Sequence, residues 1–239
     1  RGDTLRAVTG GVADSSGGGD VVEIAQNFKS VNGLVWHKGA LYIAEQDRVS
    51  RWVIPDRAAL RNYSPEVLFT DLPDKRHHGW RYMTVGPDEK LYIGVGAPCN
   101  ICAVEGYEGT IIRMNLSPEV FAEGIRNTVG LAFHPETGDL FFTDNGADNM
   151  GDDKPSEELN RATKSGLHFG YPYFGGGDFR TAQFEKFRLP GPITAPVQTF
   201  GAHQAPLGVH HYRGANLPAE YRRDAFVALH GSWNRTEPA

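Results

Sequence analysis

"VGLAFHPETGDLFFTDNGA", residues 129–147, reads as a short apolar strand, a turn built from Pro, Thr, Gly and Asp, and a second apolar strand that ends in polar and small residues. The same pattern recurs in "NGLVWHKGALYIAEQDRVSRW" (32–52), "RYMTVGPDEKLYIGVGA" (81–97) and "LGVHHYRGANLPAEYRRDAFVALHGSW" (207–233). The second strands begin at Leu41, Leu91, Leu140 and Ala225, in steps of 50, 49 and 85 residues. The long step contains a loop-rich insertion, "KSGLHFGYPYFGGGDFRTAQFEKFRLPGPITAP" (164–196). Self-similarity at about 40–50 residues with several strands per unit marks a β-propeller blade. The near-equal steps favour that architecture over a β-sandwich with accidental similarity. Alternation within a strand sets Leu41 and Ile43 on one face and Tyr42 and Ala44 on the other.

The chain of 239 residues is long enough for one large domain. Its 29 Gly and 15 Pro punctuate it too often for long amphipathic helices, so the expected class is all-β. The formal net charge of −5 argues against a nucleic-acid partner, which prefers a basic face. No apolar run approaches the roughly 20 residues of a membrane-spanning helix.

Cys99 and Cys102 are the two cysteines, in "APCNICA". A c-type haem needs a His after the second Cys, where Ala103 stands. A structural zinc site needs a second ligand pair, which the sequence lacks. A thioredoxin-like motif needs a βαβ setting. A local disulfide and two free thiols both remain open.

In a propeller, ligands sit where loops from successive blades meet, so residues just before and after each hairpin are the candidates. His77 and His78 precede the second unit, and a histidine can serve as general base near neutral pH. Arg126 and Asn127 precede the third and form a donor pair suited to an anion. Gly146, Ala147 and Asp148 follow it, with Asp152, Asp153 and Glu158 beyond; oxygen-rich, glycine-containing loops suit Ca²⁺. His230 and Arg235, around Trp233 in "HGSWNR", follow the fourth. Each has a plain reading: exposed loop histidines, a surface arginine, a solvated acidic loop, a packing tryptophan. Their recurrence at equivalent hairpin ends favours one channel mouth.

The motifs "HHGWRYMTVGPDEKLYIGVG", "GIRNTVGLAFHPETGDLFFTDNG", "DDKPSEELN" and "GLHFGYP" resemble the soluble sugar dehydrogenases that depend on pyrroloquinoline quinone (PQQ). "GAPCNIC", "GAHQAPLG" and "HGSWNR" are similar to the sorbosone dehydrogenase branch. The resemblance runs from about Val31 to Asn234 and implies a six-bladed propeller with PQQ bound through Ca²⁺ on one face. By motif it makes His78 the base, Arg126 and Asn127 the cofactor-contacting pair, and Gly146 and Ala147 the carbonyl ligands of Ca²⁺. Asp148 and Asp153 are further candidates for the metal, and His230 and Arg235 for the cofactor. A sugar or sugar-derived aldehyde is then the substrate, an external acceptor takes the electrons, and the compartment is periplasmic or secreted. That compartment, together with the isolation of the two cysteines from other metal ligands, leads us to expect a Cys99–Cys102 disulfide.

Two departures bear on the substrate. Ala97 stands where glucose-oxidising members carry Asp, and Val129 where Gln is frequent. Both favour another sugar or aldehyde. At about 50 residues per blade, residues 1–239 read as a single propeller domain covering four to five blades, a fragment short of parts of the first and last. Unpaired blade edges then invite a homodimer. A Ca²⁺-dependent lactonase-like hydrolase and a non-catalytic binding propeller are the rival readings.

Overall fold

The computed structural model describes residues 4–9 and 19–238. Strands β1 (Thr4–Thr9) and β2 (Asp20–Gln26) form an antiparallel hairpin. β3 (Gly33–His37), β4 (Ala40–Ala44), β5 (Val49–Val53) and β6 (Glu66–Phe69) then form a four-stranded antiparallel sheet in chain order. A second sheet runs β7 (Met83–Val85), β8 (Leu91–Val95), β9 (Thr110–Met114) and β10 (Pro118–Glu123). The third begins with β11 (Leu131–Phe133), β12 (Leu140–Asp144) and β13 (Glu157–Ala162).

The insertion then intervenes. β14 (Leu167–His168) pairs in parallel with β10, and β15 (Phe174–Gly175) pairs with β16 (Phe179–Arg180). β17 (Gln198–Phe200) returns to complete the third sheet beside β13. β18 (Pro206–His211) and β19 (Ala225–Leu229) form the last, two-stranded sheet among the described residues. All four second strands foreseen from the repeat are strands. No helix among the described residues is long and apolar enough to cross a membrane.

Side-chain alternation builds separate cores on the two faces of the first and second sheets. From β8, Leu91, Ile93 and Val95 face the first sheet, where they meet Val49 and the half-buried Tyr42. Tyr92, on the opposite face, joins Leu140 and Phe142 of the third sheet. Ile43 and Leu41 face the other way from Tyr42, onto Leu5, Phe28 and Trp52. The β3–β4 turn shows the local logic. Lys38 and Gly39 both take positive φ (46° and 75°), the two-residue geometry that matches strand twist.

Neighbouring first strands approach closely because glycine lets them. A Cβ on Gly33 would lie 2.1 Å from the Arg81 carbonyl oxygen, and one on Gly130 would lie 2.3 Å from that of Leu207. In each unit the entry to the first strand sits beside the exit of the second. Asn32 N–H donates to Ala44 O, Gly94 N–H to Tyr82 O, and Asn145 N–H to Asn127 O. This up-and-down pairing brings hairpin entries and exits to a common edge.

A candidate active site at the hairpin ends

His78 lies in the loop entering β7, with φ +48°. Its carbonyl accepts a 3.0 Å bond from Arg81 Nη1, and Arg81 Nη2 reaches Pro73 O at 2.6 Å. Arg81 is only 1% exposed and ties down the loop from beneath. His78 Nδ1 lies 2.9 Å from Ala97 O. A carbonyl can only accept, so Nδ1 carries the proton and Nε2 keeps its lone pair. Burial pushes the His78 pKa down to about 3, helped by the charges of Arg126 and His77. The imidazole is therefore a neutral acceptor at neutral pH.

Arg126 follows β10 and is 4% exposed. Its Nε donates to Asn100 O (3.0 Å) and its Nη1 to Asn145 O (3.0 Å). Nη2 donates to Asn100 Oδ1 and to Asp148 Oδ2, both at 2.8 Å. A guanidinium has five N–H groups, so one, on Nη1, has no partner among the described residues. The backbone beneath is equally fixed. Asp144, at the end of β12, accepts the N–H of Arg126 (2.9 Å) and of Asn127 (2.6 Å) on its two carboxylate oxygens.

The surroundings are acidic. Asp144 stands opposite Glu158 in the β12–β13 ladder. Burial, then the Glu158 charge, pushes Asp144 up to about 8, and burial pushes Glu158 up to about 7. Glu157 accepts the Gly146 N–H at 2.6 Å and is also raised, chiefly by burial. The carbonyl oxygens of Gly146 and Ala147 accept no hydrogen bond from the described residues.

His78, Arg126, Asn127, Gly146 and Asp148 line one cleft of about 520 Å³. Ala147 lies against an adjoining cavity that also touches Gly146 and Arg126. Asp153, His230 and Arg235 do not join them. Asp148 accepts from Arg126 Nη2 on one carboxylate oxygen and from Asn234 Nδ2 (3.0 Å) on the other. The Asp153 side chain is 90% exposed and lies 3.9 Å from Arg235 Nη2. Arg235 is held by Asp152 O (2.6 Å) and Ala202 O (3.3 Å), and His230 is exposed. From the fourth unit, Trp233 and Asn234 line the cleft instead. Residue-type reasoning missed Asn100, Asn145, Glu157 and His203, although all four sit in stretches quoted above. The two cysteines form a disulfide, as expected.

The sequence profile of the family described as Glucose / Sorbosone dehydrogenase matches residues 2–232. The chain belongs to the glucose/sorbosone dehydrogenase family. A protein of Borreliella burgdorferi described only as uncharacterized is 33% identical over 232 residues, 91% of this chain. This family member spans 61% of that relative's length. Among solved structures, a Trichoderma reesei enzyme of carbohydrate-active family AA12, in its calcium structure, is similar at TM-score 0.77 and 17% identity, covering 100% of this chain and 71% of that one. The holo PQQ domain of Coprinopsis cinerea pyranose dehydrogenase is similar at TM-score 0.74 and 19% identity (95% and 66% covered). A PQQ-bound aldose sugar dehydrogenase of Streptomyces coelicolor follows at TM-score 0.57 and 22% identity (87% and 65%). At these identities the shared property is the all-β fold.

Proposed function

We propose that this chain carries the cofactor face of a PQQ- and Ca²⁺-dependent dehydrogenase that oxidises a sugar or a sugar-derived aldehyde. The observation that carries the reading is one cleft lined by both a neutral histidine and a buried arginine with an uncommitted N–H. The chemistry of the donor set fits the group. Arg126 and Asn127 would meet the polyanionic cofactor. The carbonyls of Gly146 and Ala147, backed by Asp144, Glu157 and Glu158, would hold the cation. The similar structures, one a calcium structure, one a holo PQQ domain and one PQQ-bound, agree with this choice.

When bound, PQQ supplies the hydride-accepting quinone and Ca²⁺ draws negative charge onto its oxygens. The chain's own contribution is proton transfer and orientation. His78 Nε2 takes the proton of the substrate hydroxyl while Ala97 O holds the ring in the required tautomer. Arg126 gives its spare N–H to developing negative charge, from a cage that needs no reorganisation. Beside His78, Trp80, Tyr82, Val129 and Leu207 line a second, largely apolar cleft. Ala97 is fully buried and has no polar side-chain atom to offer. This lining favours a substrate other than glucose.

We read residues 1–239 as one propeller domain of the six-bladed type, with the described sheets supplying four to five blades. An external acceptor takes the electrons. The Cys99–Cys102 disulfide suits a periplasmic or secreted enzyme, and the open sheet edges suit a homodimer. The test titrates the intact protein with PQQ, with and without Ca²⁺, followed by absorbance and by dye reduction over a panel of aldoses and aldehydes. His78→Ala should cut turnover by roughly 10²–10⁴ with cofactor affinity nearly unchanged. A chain that takes up no PQQ in the presence of Ca²⁺, or a His78→Ala variant with full turnover, overturns the reading.

A further inference from the structure

The tetrapeptide Cys99-Asn100-Ile101-Cys102 is closed on itself by the disulfide, and the proposed chemistry makes no direct use of it. Its position is nonetheless specific. The buried Tyr171 hydroxyl accepts the Cys102 N–H at 3.0 Å and lies 3.4 Å from Cys99 Sγ, so the loop is pinned to the insertion at both cysteines. Between them, Asn100 turns every polar atom of its side chain toward two residues. Its Oδ1 accepts from Arg126 Nη2 and from Asp148 N–H, and its Nδ2 donates to Asp148 O at 2.9 Å. Its main-chain oxygen accepts Arg126 Nε.

Two of the four hydrogen bonds that hold the Arg126 guanidinium therefore come from Asn100. A third comes from Asp148, whose own backbone Asn100 fixes by a reciprocal amide pair. The remaining one comes from Asn145 O. Arginine is a long side chain with about 2 kcal/mol of rotamer entropy to lose. Presenting one chosen N–H to a cleft requires that the other four be satisfied from fixed positions. The disulfide supplies that fixity, because it confines the turn that sets both oxygens of Asn100.

We propose that the disulfide-closed loop is the positioning device of this site. In this view Asn100 is a positioning residue that sets the Arg126 guanidinium, and the Cys99–Cys102 bond holds Asn100 in place. The inference rests on the proposed function only for its effect on cofactor binding. The geometry it asserts is testable without any cofactor.

The test is labelling of the intact protein with phenylglyoxal, with modified arginines mapped by mass spectrometry. Three samples are compared with the oxidised wild type. One is wild type reduced by a water-soluble phosphine, where the S–S bond becomes two thiols and the phosphine takes its oxygen from water to become the oxide. The others are Cys99→Ser/Cys102→Ser and Asn100→Ala. Arg126 should resist labelling in the oxidised wild type and react at least tenfold faster in all three. Arg81, equally buried but outside the cage, should stay protected, which a general loosening of the fold would not allow. An unchanged Arg126 rate, or equal gains at Arg126 and Arg81, overturns the proposal. Titration of the same samples with PQQ and Ca²⁺ separates the two levels. Faster Arg126 labelling with unchanged PQQ affinity keeps the positioning role and refutes the cofactor reading. With both correct, affinity falls by about tenfold or more.

Discussion

Replacing Gly96 with alanine puts one methyl against the backbone of His78 and Arg126. An added Cβ would lie 2.4 Å from His78 Cβ, 2.9 Å from His78 O and 3.4 Å from Arg126 O. Two of these are backbone oxygens and the third atom is the root of a side chain, so no flexible end can swing away. Carbon atoms settle at about 3.5–4.0 Å, so His78 would have to retreat by roughly 1.1 Å. It has little freedom to do so. Its carbonyl is held by Arg81, its ring by Ala97 O, and Ala97 N–H is itself bonded to Arg126 O at 2.8 Å. Overpacking of this kind costs about 1–3 kcal/mol. In a domain of this size that lowers the melting temperature by roughly 2–12 °C. A displacement near 1 Å at a reacting group costs on the order of 10²-fold in rate. We therefore expect Gly96→Ala to melt lower and to lose about two orders of magnitude in PQQ-dependent dye reduction. Gly191→Ala, with no atom within 4 Å of its added Cβ, serves as control. A Gly96→Ala protein that melts with the wild type and turns over at its rate refutes the steric argument.

Other outcomes follow from the same contacts. Arg81→Met removes the anchor of the His78 loop and takes from the part-buried His78 carbonyl its only partner among the described residues, so melting should show a loss of about 1–3 kcal/mol and turnover should fall at least tenfold. Burial keeps His78 unprotonated in the folded protein down to about pH 3, whereas the unfolded chain takes up a proton below about pH 6.5. Its contribution to stability is therefore present above that pH and lost as pH falls toward 3, by up to about 1.4 kcal/mol per pH unit; melts between about pH 4 and 7 should show a steeper acid slope for wild type than for His78→Gln. The acid limb of activity should accordingly lie well below pH 6.5.

What the sequence disclosed and what it concealed divide along sequence separation. The second strands at Leu41, Leu91, Leu140 and Ala225 were legible because alternation and turn residues are local signals. Tyr42 and Ile43 do face opposite cores. The cage around Arg126 was not legible. Its partners Asn100, Asn145 and Asp148 stand 26, 19 and 22 residues away, and nothing local distinguishes Asn100 from an ordinary turn asparagine. The acidic loop hid a second distinction. Composition could not separate Asp148, which neutralises a buried arginine, from Asp153, which sits in solvent near Arg235. The loop after β19 misled for a geometric reason. It turns so that Trp233 and Asn234 reach the cleft while His230 and Arg235 point elsewhere.

The charge balance of the cleft makes one more demand. Asp144, Asp148, Glu157 and Glu158 surround a single arginine, and the Arg126 guanidinium is paired directly with Asp148 alone. The facing carboxylates Asp144 and Glu158 are both raised by burial, so the folded chain pays for any charge they carry. A polyanionic cofactor entering this cleft alone would meet the carboxyl groups of Asp148 and Glu157 that line it, and any charge taken up by Asp144 and Glu158 would oppose it further. A dication beside Gly146 changes the sign of that encounter and stabilises the carboxylates at the same time. We therefore expect strict order in ligand effects: Ca²⁺ alone should raise the melting temperature, PQQ alone should not, and the two together should raise it further than Ca²⁺ does. A ligand present at 100 times its Kd contributes about 2.7 kcal/mol, or roughly 5–10 °C here, well within the reach of scanning fluorimetry. Glu157→Gln and Glu158→Gln should each weaken the Ca²⁺ effect. If PQQ without Ca²⁺ stabilises the protein as much as the pair does, the carboxylates are not serving a cation, and Arg126 with its one free N–H must hold the cofactor by itself.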